Sequence, residues 1–127
     1  MTDEQKKMLL KTQQGELDAV KLYQRLAEIV KHEKGKNLFL EVAADEGKHA
    51  KLLKSYTNTV LKPRGIKASV VVFLYRLIGH NFVMGLLQKG ELKSINVYQG
   101  LVDDFPKIQE IIDDEARHAE IAKSLLI

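Results

Sequence analysis

The sequence predicts an all-α protein: a four-helix bundle of two antiparallel helical hairpins, joined by a long crossover that contains an extra short helix. Apolar residues recur every three to four positions along most of the 127 residues, which is the period of amphipathic helices. The breaks between these periodic segments are short, long and short, as in two hairpins with one crossover. The two halves also resemble each other. A length of 127 residues with 45% hydrophobic and 29% charged residues is typical of one compact domain, so we expect one domain over residues 1–127.

The first predicted hairpin covers the first half of the chain. Thr2 and Gln5 have the spacing of a capping box, and the apolar period that follows predicts a helix over about residues 3–31. The polar, glycine-containing segment 32–37 is predicted to be the turn. Its final asparagine can cap a second helix, which we expect to end near Thr59.

The basic segment 62–65 lies at the beginning of the crossover, and the second hairpin follows the crossover. The apolar stretch 66–78 predicts the extra short helix, and a further helical run covers about residues 81–102. A last helix over about residues 106–126 has a proline in its first turn, where proline is favoured. Residues 66–87 are too apolar for an exposed connector, so we expect a homodimer or larger homo-oligomer. The side chains expected to be buried there are Val71, Phe73, Leu74, Leu77 and Ile78.

The composition excludes several classes of protein. Without cysteine there is no thiolate zinc site and no iron–sulfur cluster, so any metal must be held by nitrogen and oxygen ligands. A net charge of +3 from well-mixed charges is too small for a nucleic-acid partner. The first residues are acidic where a signal peptide is basic, so a cytoplasmic location is expected. Arg76 and His80 lie within the apolar stretch 68–87 and argue against a membrane span there.

Two motifs occur twice in the chain. Gly15-Glu16-Leu17 returns as Gly90-Glu91-Leu92, at an offset of 75 in the numbering. Asp45-Glu46-x-x-His49-Ala50 returns as Asp114-Glu115-x-x-His118-Ala119, at an offset of 69. Because the offsets differ by six, the first hairpin must be longer between its motifs, and we expect its turn at residues 32–37 to absorb the difference.

The repeated motifs carry a metal-binding pattern. A Glu and a His three residues apart lie on one face of a helix, close enough to bind a common metal. One such pair is weak evidence, but two in equivalent places of a repeat are strong evidence. Each partner helix also has one glutamate on a core-facing stripe, where a carboxylate is costly unless it is paired or metal-bound. The predicted ligands are Glu16, Glu46, His49, Glu91, Glu115 and His118. The alternative is that these six are surface or ion-pair residues.

With these motifs the chain resembles the ferritin-like superfamily and is most similar to the rubrerythrin group along all four helices. The resemblance implies two iron ions, with manganese possible. It implies that Glu46 and Glu115 bridge the ions, that Glu16 and Glu91 bind terminally, and that each histidine ligates one ion. There are two departures: the chain has no cysteine-bound iron domain, and Ser94 stands where rubrerythrin has an extra carboxylate. The six ligands thus resemble those of bacterioferritin.

The resemblance also implies a function. A non-haem di-iron oxidoreductase acting on hydrogen peroxide or dioxygen is expected, either a peroxidase or a ferroxidase, with electrons from a separate donor. The alternative is an iron-binding module for storage, sensing or delivery to a transporter, for which the basic stretch 62–67 suits a docking surface. Membrane contact belongs to that alternative. A purely structural bundle is a third hypothesis.

Four further residues are candidates near the ligands. Tyr23 and Tyr98 follow the terminal glutamates by seven residues, where a hydroxyl could hydrogen-bond a carboxylate or carry an electron, and buried packing explains them equally well. Asp45 and Asp114 could accept the ring N–H of the histidine from the opposite half, or could be exposed acids. The glutamates expected off the metal face and in solvent are Glu28, Glu41, Glu110 and Glu120.

Overall fold

The computed structural model describes all residues 1–127 and contains five α-helices and no strand. The helices are α1 (Asp3–Ile29), α2 (Glu33–Thr57), α3 (Ile66–Leu77), α4 (His80–Gln99) and α5 (Ile108–Ser124). The chain divides into two compact units, residues 1–72 and 73–127. The predicted all-α class is confirmed, and α1 with α2 and α4 with α5 form the helical pairs of a ferritin-like bundle.

The first unit contains the hairpin of α1 and α2. The predicted capping box is present: Gln5 N donates to Thr2 Oγ1 at 3.0 Å, and Thr2 N donates to Gln5 Oε1 at 2.9 Å. Near the other end of the hairpin the rings of Tyr23 and Phe39 pack with centroids 5.5 Å apart. Contacts pair early residues of α1 with late residues of α2, so the two helices are antiparallel.

The start of α2 differs from the prediction. The helix begins at Glu33, whereas the sequence predicted a turn that ends at the Asn37 cap. Lys36 Nζ donates to the carbonyls of Ala27 and Glu28 at 3.2 and 3.3 Å, where α1 leaves carbonyl groups without helical partners. The contact between the two helices therefore favours helix in a segment whose polar composition favours a turn.

The extra length of the first hairpin lies in its helices and not in its turn. α1 continues far beyond Glu16, and α2 begins far before Glu46. The corresponding stretches, after Glu91 in α4 and before Glu115 in α5, are each shorter by more than one helical turn. The loop of the first hairpin is the shorter of the two hairpin loops. The prediction that segment 32–37 absorbs the difference was wrong.

The second unit contains the hairpin of α4 and α5. α4 ends at Gln99, three residues before the predicted limit, because Gly100 begins a series of turns. Pro106 lies two residues before α5 and not in its first turn. His80 Nε2 donates to the carbonyl of Leu125 at 2.7 Å, which ties the beginning of α4 to the end of α5. These helices are therefore also antiparallel.

The predicted short helix in the crossover is confirmed as α3. Its inner face is buried through Ala68, Val71 and Val72. Of the five side chains expected to be buried, only Val71 is buried in the single chain and Leu74 is half-buried. The other three are exposed: Phe73 and Leu77 point away from that face, and Ile78 lies just after the end of the helix. Gly79, at a φ of 119° that favours glycine, makes the sharp turn into α4.

A buried carboxylate fastens the crossover to α1 within the first unit. Asp18 is 5% exposed and accepts hydrogen bonds from Arg64 Nη2 at 2.9 Å, from the Arg64 backbone N at 2.8 Å and from Gln14 Nε2 at 2.9 Å. Burial acts to raise the pKa of Asp18, but the hydrogen bonds from Arg64 and Gln14 and the arginine charge outweigh it, and the pKa lies below its usual value of 3.8. The basic segment 62–65 is thus anchored by Arg64.

We expect Asp18→Asn to destabilise the protein by about 2 kcal/mol at neutral pH, because charge-assisted hydrogen bonds to Arg64 are lost in a buried place. A lowered pKa in the folded state stabilises above the unfolded value of 3.8 and loses this effect as pH falls through the folded value. The difference between variant and wild type should therefore shrink in acid. Urea unfolding at several pH values measures this difference in the free energy of unfolding. Glu28→Gln, at an exposed position of α1, is the control. Equal stability of wild type and Asp18→Asn at neutral pH would contradict the assignment.

Candidate metal centre

The two Glu-x-x-His motifs lie on the buried faces of α2 and α5. The three-residue spacing places Glu46 beside His49 on α2, and Glu115 beside His118 on α5. None of these four residues is more than 3% exposed. Ionisable groups are seldom buried to this degree in a helix without a partner of opposite charge.

The isolated glutamates lie on the facing helix of each hairpin. Glu16 of α1 and Glu91 of α4 are both buried. Each occupies a position of an otherwise uncharged helical stripe. In α1 this stripe includes Leu9 and Tyr23, and in α4 it includes Leu87. The helical period that directs these stripes inward therefore directs the carboxylates inward too.

The first half-site, which we define as Glu16, Glu46 and His49, is a tight cluster. His49 Nδ1 lies 3.3 Å from Glu16 Oε2 and 3.3 Å from Glu46 Oε1. One ligand atom from each of the three residues lies within 4.8 Å of the others. The α1–α2 hairpin alone thus brings together two carboxylates and one imidazole.

The second half-site, which we define as Glu91, Glu115 and His118, repeats this geometry in the second unit. His118 Nδ1 lies 3.7 Å from Glu91 Oε2 and 3.5 Å from Glu115 Oε1. Its ligand atoms also lie within 4.8 Å of one another. The internal repeat of the sequence is therefore a repeat of site geometry.

These donor sets fit a divalent transition metal. A ring nitrogen has at most one proton to donate, yet His49 Nδ1 is equally close to two carboxylate oxygens. Ligand atoms bound to one metal at about 2.1 Å lie roughly 3 to 3.5 Å apart, close to the separations in both half-sites. Carboxylate oxygen with imidazole nitrogen and no thiolate suits iron or manganese. Each half-site is therefore a buried Glu and His cluster that could hold a metal ion.

A polar network that the sequence analysis missed supports the first half-site. Gln13, one turn before Glu16 on α1, is 2% exposed. Its Nε2 donates to the Thr59 carbonyl at 2.8 Å, and its Oε1 accepts from Thr57 Oγ1 at 2.6 Å. These bonds fix α1 against the end of α2 and so fix the position of Glu16 along the helix axis relative to α2. A buried Gln has no local sequence signal beyond its place on the apolar stripe.

The candidate residues around the ligands are found in different environments. Tyr23 and Tyr98 are buried, and packing against Phe39 accounts for the burial of the Tyr23 ring. Asp45 and Asp114 are half-buried. The proposed roles of all four side chains stay predictions. The glutamates expected in solvent are indeed exposed: Glu28, Glu41, Glu110 and Glu120.

Fold and geometry define a class: a helical-hairpin protein of the ferritin-like kind with buried Glu, Glu and His clusters. The family model for rubrerythrin matches residues 7–82 of the chain. The protein therefore belongs to the rubrerythrin family. The match includes the whole first half-site, whereas the second half-site lies beyond it and is identified by the internal repeat. Comparisons with curated proteins and with solved structures gave no match.

We expect Mn(II) to raise the melting temperature of the wild type, because a cation that binds only the folded chain stabilises it and neutralises buried carboxylates. At a hundredfold excess of Mn(II) over its dissociation constant, the free energy of unfolding should rise by about 3 kcal/mol. The double variant Glu46→Ala with Glu115→Ala should stay folded, and its melting temperature should no longer rise with Mn(II). Differential scanning calorimetry with and without Mn(II) measures both.

The repeat offers a matched control for this experiment. Glu41 and Glu110 are exposed glutamates at equivalent positions of α2 and α5. Glu41→Ala with Glu110→Ala removes the same two charges and should keep the full response to Mn(II). A wild type that melts at the same temperature with and without saturating Mn(II) would contradict the metal site.

Proposed function

We propose that the two half-sites together hold two iron ions and that the protein is a non-haem di-iron oxidoreductase acting on hydrogen peroxide or dioxygen. The observation that carries this proposal is the buried cluster of two glutamates and one histidine that occurs once in each unit. Each half-site offers two carboxylates, which neutralise one divalent ion. Membership of the rubrerythrin family supports iron as the metal.

The chain's own residues would have distinct tasks at this centre. Glu46 and Glu115 would bridge the two ions, Glu16 and Glu91 would bind terminally, and each histidine would ligate one ion. Bound iron would supply one-electron redox chemistry and polarisation of the substrate. The helices fix the ligand positions, so the side chains are held in place before metal binds.

Burial restricts the substrate to small molecules. None of the six ligand residues is more than 5% exposed. A substrate that reaches them must therefore be of the size of dioxygen or peroxide. The chain has no cysteine to hold a second iron site for electron entry, so a separate donor would deliver electrons. A cytoplasmic location would suit such a donor.

The second candidate function is an iron-binding module for storage, sensing or delivery. It is favoured by the basic and apolar surface of the crossover, since an oxidoreductase needs no such surface. In this case iron is the cargo and turnover is not required. The two functions diverge after the first oxidation of bound Fe(II), because only an oxidoreductase must be reduced again.

Anaerobic loading with Fe(II) and then addition of hydrogen peroxide tests the choice. An oxidoreductase should oxidise bound Fe(II) at once, seen as near-ultraviolet absorption, and should consume more peroxide in many cycles when an electron donor is added. An iron-binding module should oxidise its bound iron once and stop. Faster oxidation by dioxygen than by peroxide would instead assign a ferroxidase. Without any Fe(II)-dependent absorption in the wild type, the di-iron proposal is wrong.

The tyrosines give a further test of the oxidoreductase. If their hydroxyl groups hydrogen-bond ligand carboxylates or carry electrons, Tyr23→Phe with Tyr98→Phe should lower peroxide turnover by about tenfold while Fe(II) binding is kept. Phenylalanine at position 23 keeps the ring packing against Phe39, so the loss of stability should not exceed that of the lost hydroxyl hydrogen bonds, about 1 kcal/mol each. Unchanged turnover would show that both tyrosines serve packing alone. Steady-state peroxide consumption and Fe(II) titration measure the two quantities.

A further inference from the structure

The acidic residues of the chain are unevenly distributed. Between Glu46 and Glu91 there is no aspartate or glutamate, yet this segment contains eight lysines and arginines. The mild net charge of the whole protein hides this separation. The acid-free segment comprises the last part of α2, the crossover with α3, and the first half of α4.

The outer face of α3 within this segment is apolar and uncovered. At 100° per residue, Ile66, Val70, Phe73 and Leu77 fall in an arc of about 60° on one side of the helix. All four are more than half exposed, with Phe73 at 61% and Leu77 at 68%. The opposite side is the buried face already described. α3 is therefore apolar on both sides.

Two cations flank this outer stripe. On the same helical wheel, Lys67 and Arg76 lie about 90° to either side of the stripe, and both are exposed. Lys62, also exposed, precedes the helix by four residues. Long basic side chains beside an apolar stripe can extend to lipid headgroups while the stripe enters the acyl boundary.

We propose that the outer face of α3 binds the surface of a membrane that contains anionic lipid. The helix would lie in the plane of the interface, with Phe73 and Leu77 in the acyl boundary and Lys67 and Arg76 at the phosphates. No helix of the chain is both long and apolar enough to cross a bilayer, so this attachment is peripheral. The proposal concerns α3 alone and does not depend on metal binding.

Charge favours lipid over a second copy of the chain as the occupant. If the α3 stripes of two copies packed together, the second α3 would bring further cations to the contact and no carboxylate from its own acid-free segment to pair with Lys67 and Arg76. An anionic lipid surface supplies the missing negative charge at both flanks. Charge complementarity thus selects the membrane.

The absence of tryptophan from the chain permits a direct experiment. Phe73→Trp places a single fluorophore on the stripe, and Leu40→Trp places one at an exposed position of α2. We expect vesicles of phosphatidylcholine with phosphatidylglycerol to shift the emission of Phe73→Trp to the blue and to protect it from an aqueous quencher. Binding to vesicles of phosphatidylcholine alone should be about tenfold weaker. Leu40→Trp should not respond.

Variants separate the apolar and the charge contributions in vesicle sedimentation. Val70→Ser with Phe73→Ser and Leu77→Ser should abolish binding. Lys67→Gln with Arg76→Gln should weaken it about tenfold, and added salt should do the same. The matched control Lys34→Gln with Lys107→Gln removes two exposed charges outside the acid-free segment and should bind as the wild type does. All changed side chains are exposed, and circular dichroism checks that the helices are kept.

Two results would overturn the proposal. The first is no binding of the wild type to anionic vesicles; a dimer in analytical ultracentrifugation that the serine variant abolishes would then assign the stripe to a second copy. The second is binding that the serine variant retains. Each result is independent of whether iron binds to the half-sites.

Discussion

Carboxylates and imidazoles buried inside helical hairpins are the constraint on which the rest of this structure depends. Burying carboxyl groups is costly, and each hairpin holds two of them beside one histidine. Such a cluster persists only if the surrounding helices are held in one register. Three features of the first unit hold this register: the apolar stripe on both sides of Glu16, the hydrogen bonds of Gln13 to Thr57 and Thr59, and the ion pair of Arg64 with Asp18.

The sequence predicted much of this arrangement because its signals are periodic and local. Helical spacing alone places Glu46 with His49 on one face, and the position of Glu16 on a core stripe implies its burial. The start of α2 was missed because Lys36 acts through carbonyl groups of another helix. The Asp18 to Arg64 pair was missed for the same reason, since its partners lie far apart in the chain. A contact between two distant segments has no signature in a single sequence unless, as at the half-sites, a repeated ligand pattern reveals it.

The distribution of charge separates the regions that contain the half-site carboxylates from a basic segment between them. Every acid lies either at or before Glu46 or at or after Glu91, and these two regions contain all four carboxylates of the half-sites. The segment between them is basic and carries an apolar face that the single chain does not cover. Composition averages over the chain concealed both features, since a net charge of +3 is the sum of two unequal parts. Local charge was the more informative quantity.

The unequal hairpins bear on how such a protein changes in evolution. The first hairpin owes its greater length to helix on both sides of a short loop, beyond Glu16 and before Glu46. Insertions or deletions there keep side-chain contacts such as that of Tyr23 with Phe39 only if they come in matched pairs, one in each helix, and preserve the helical phase. The distance from the loop to the ligands can vary while the spacing among the ligands does not. Duplicated halves can thus diverge in size without losing their common chemistry.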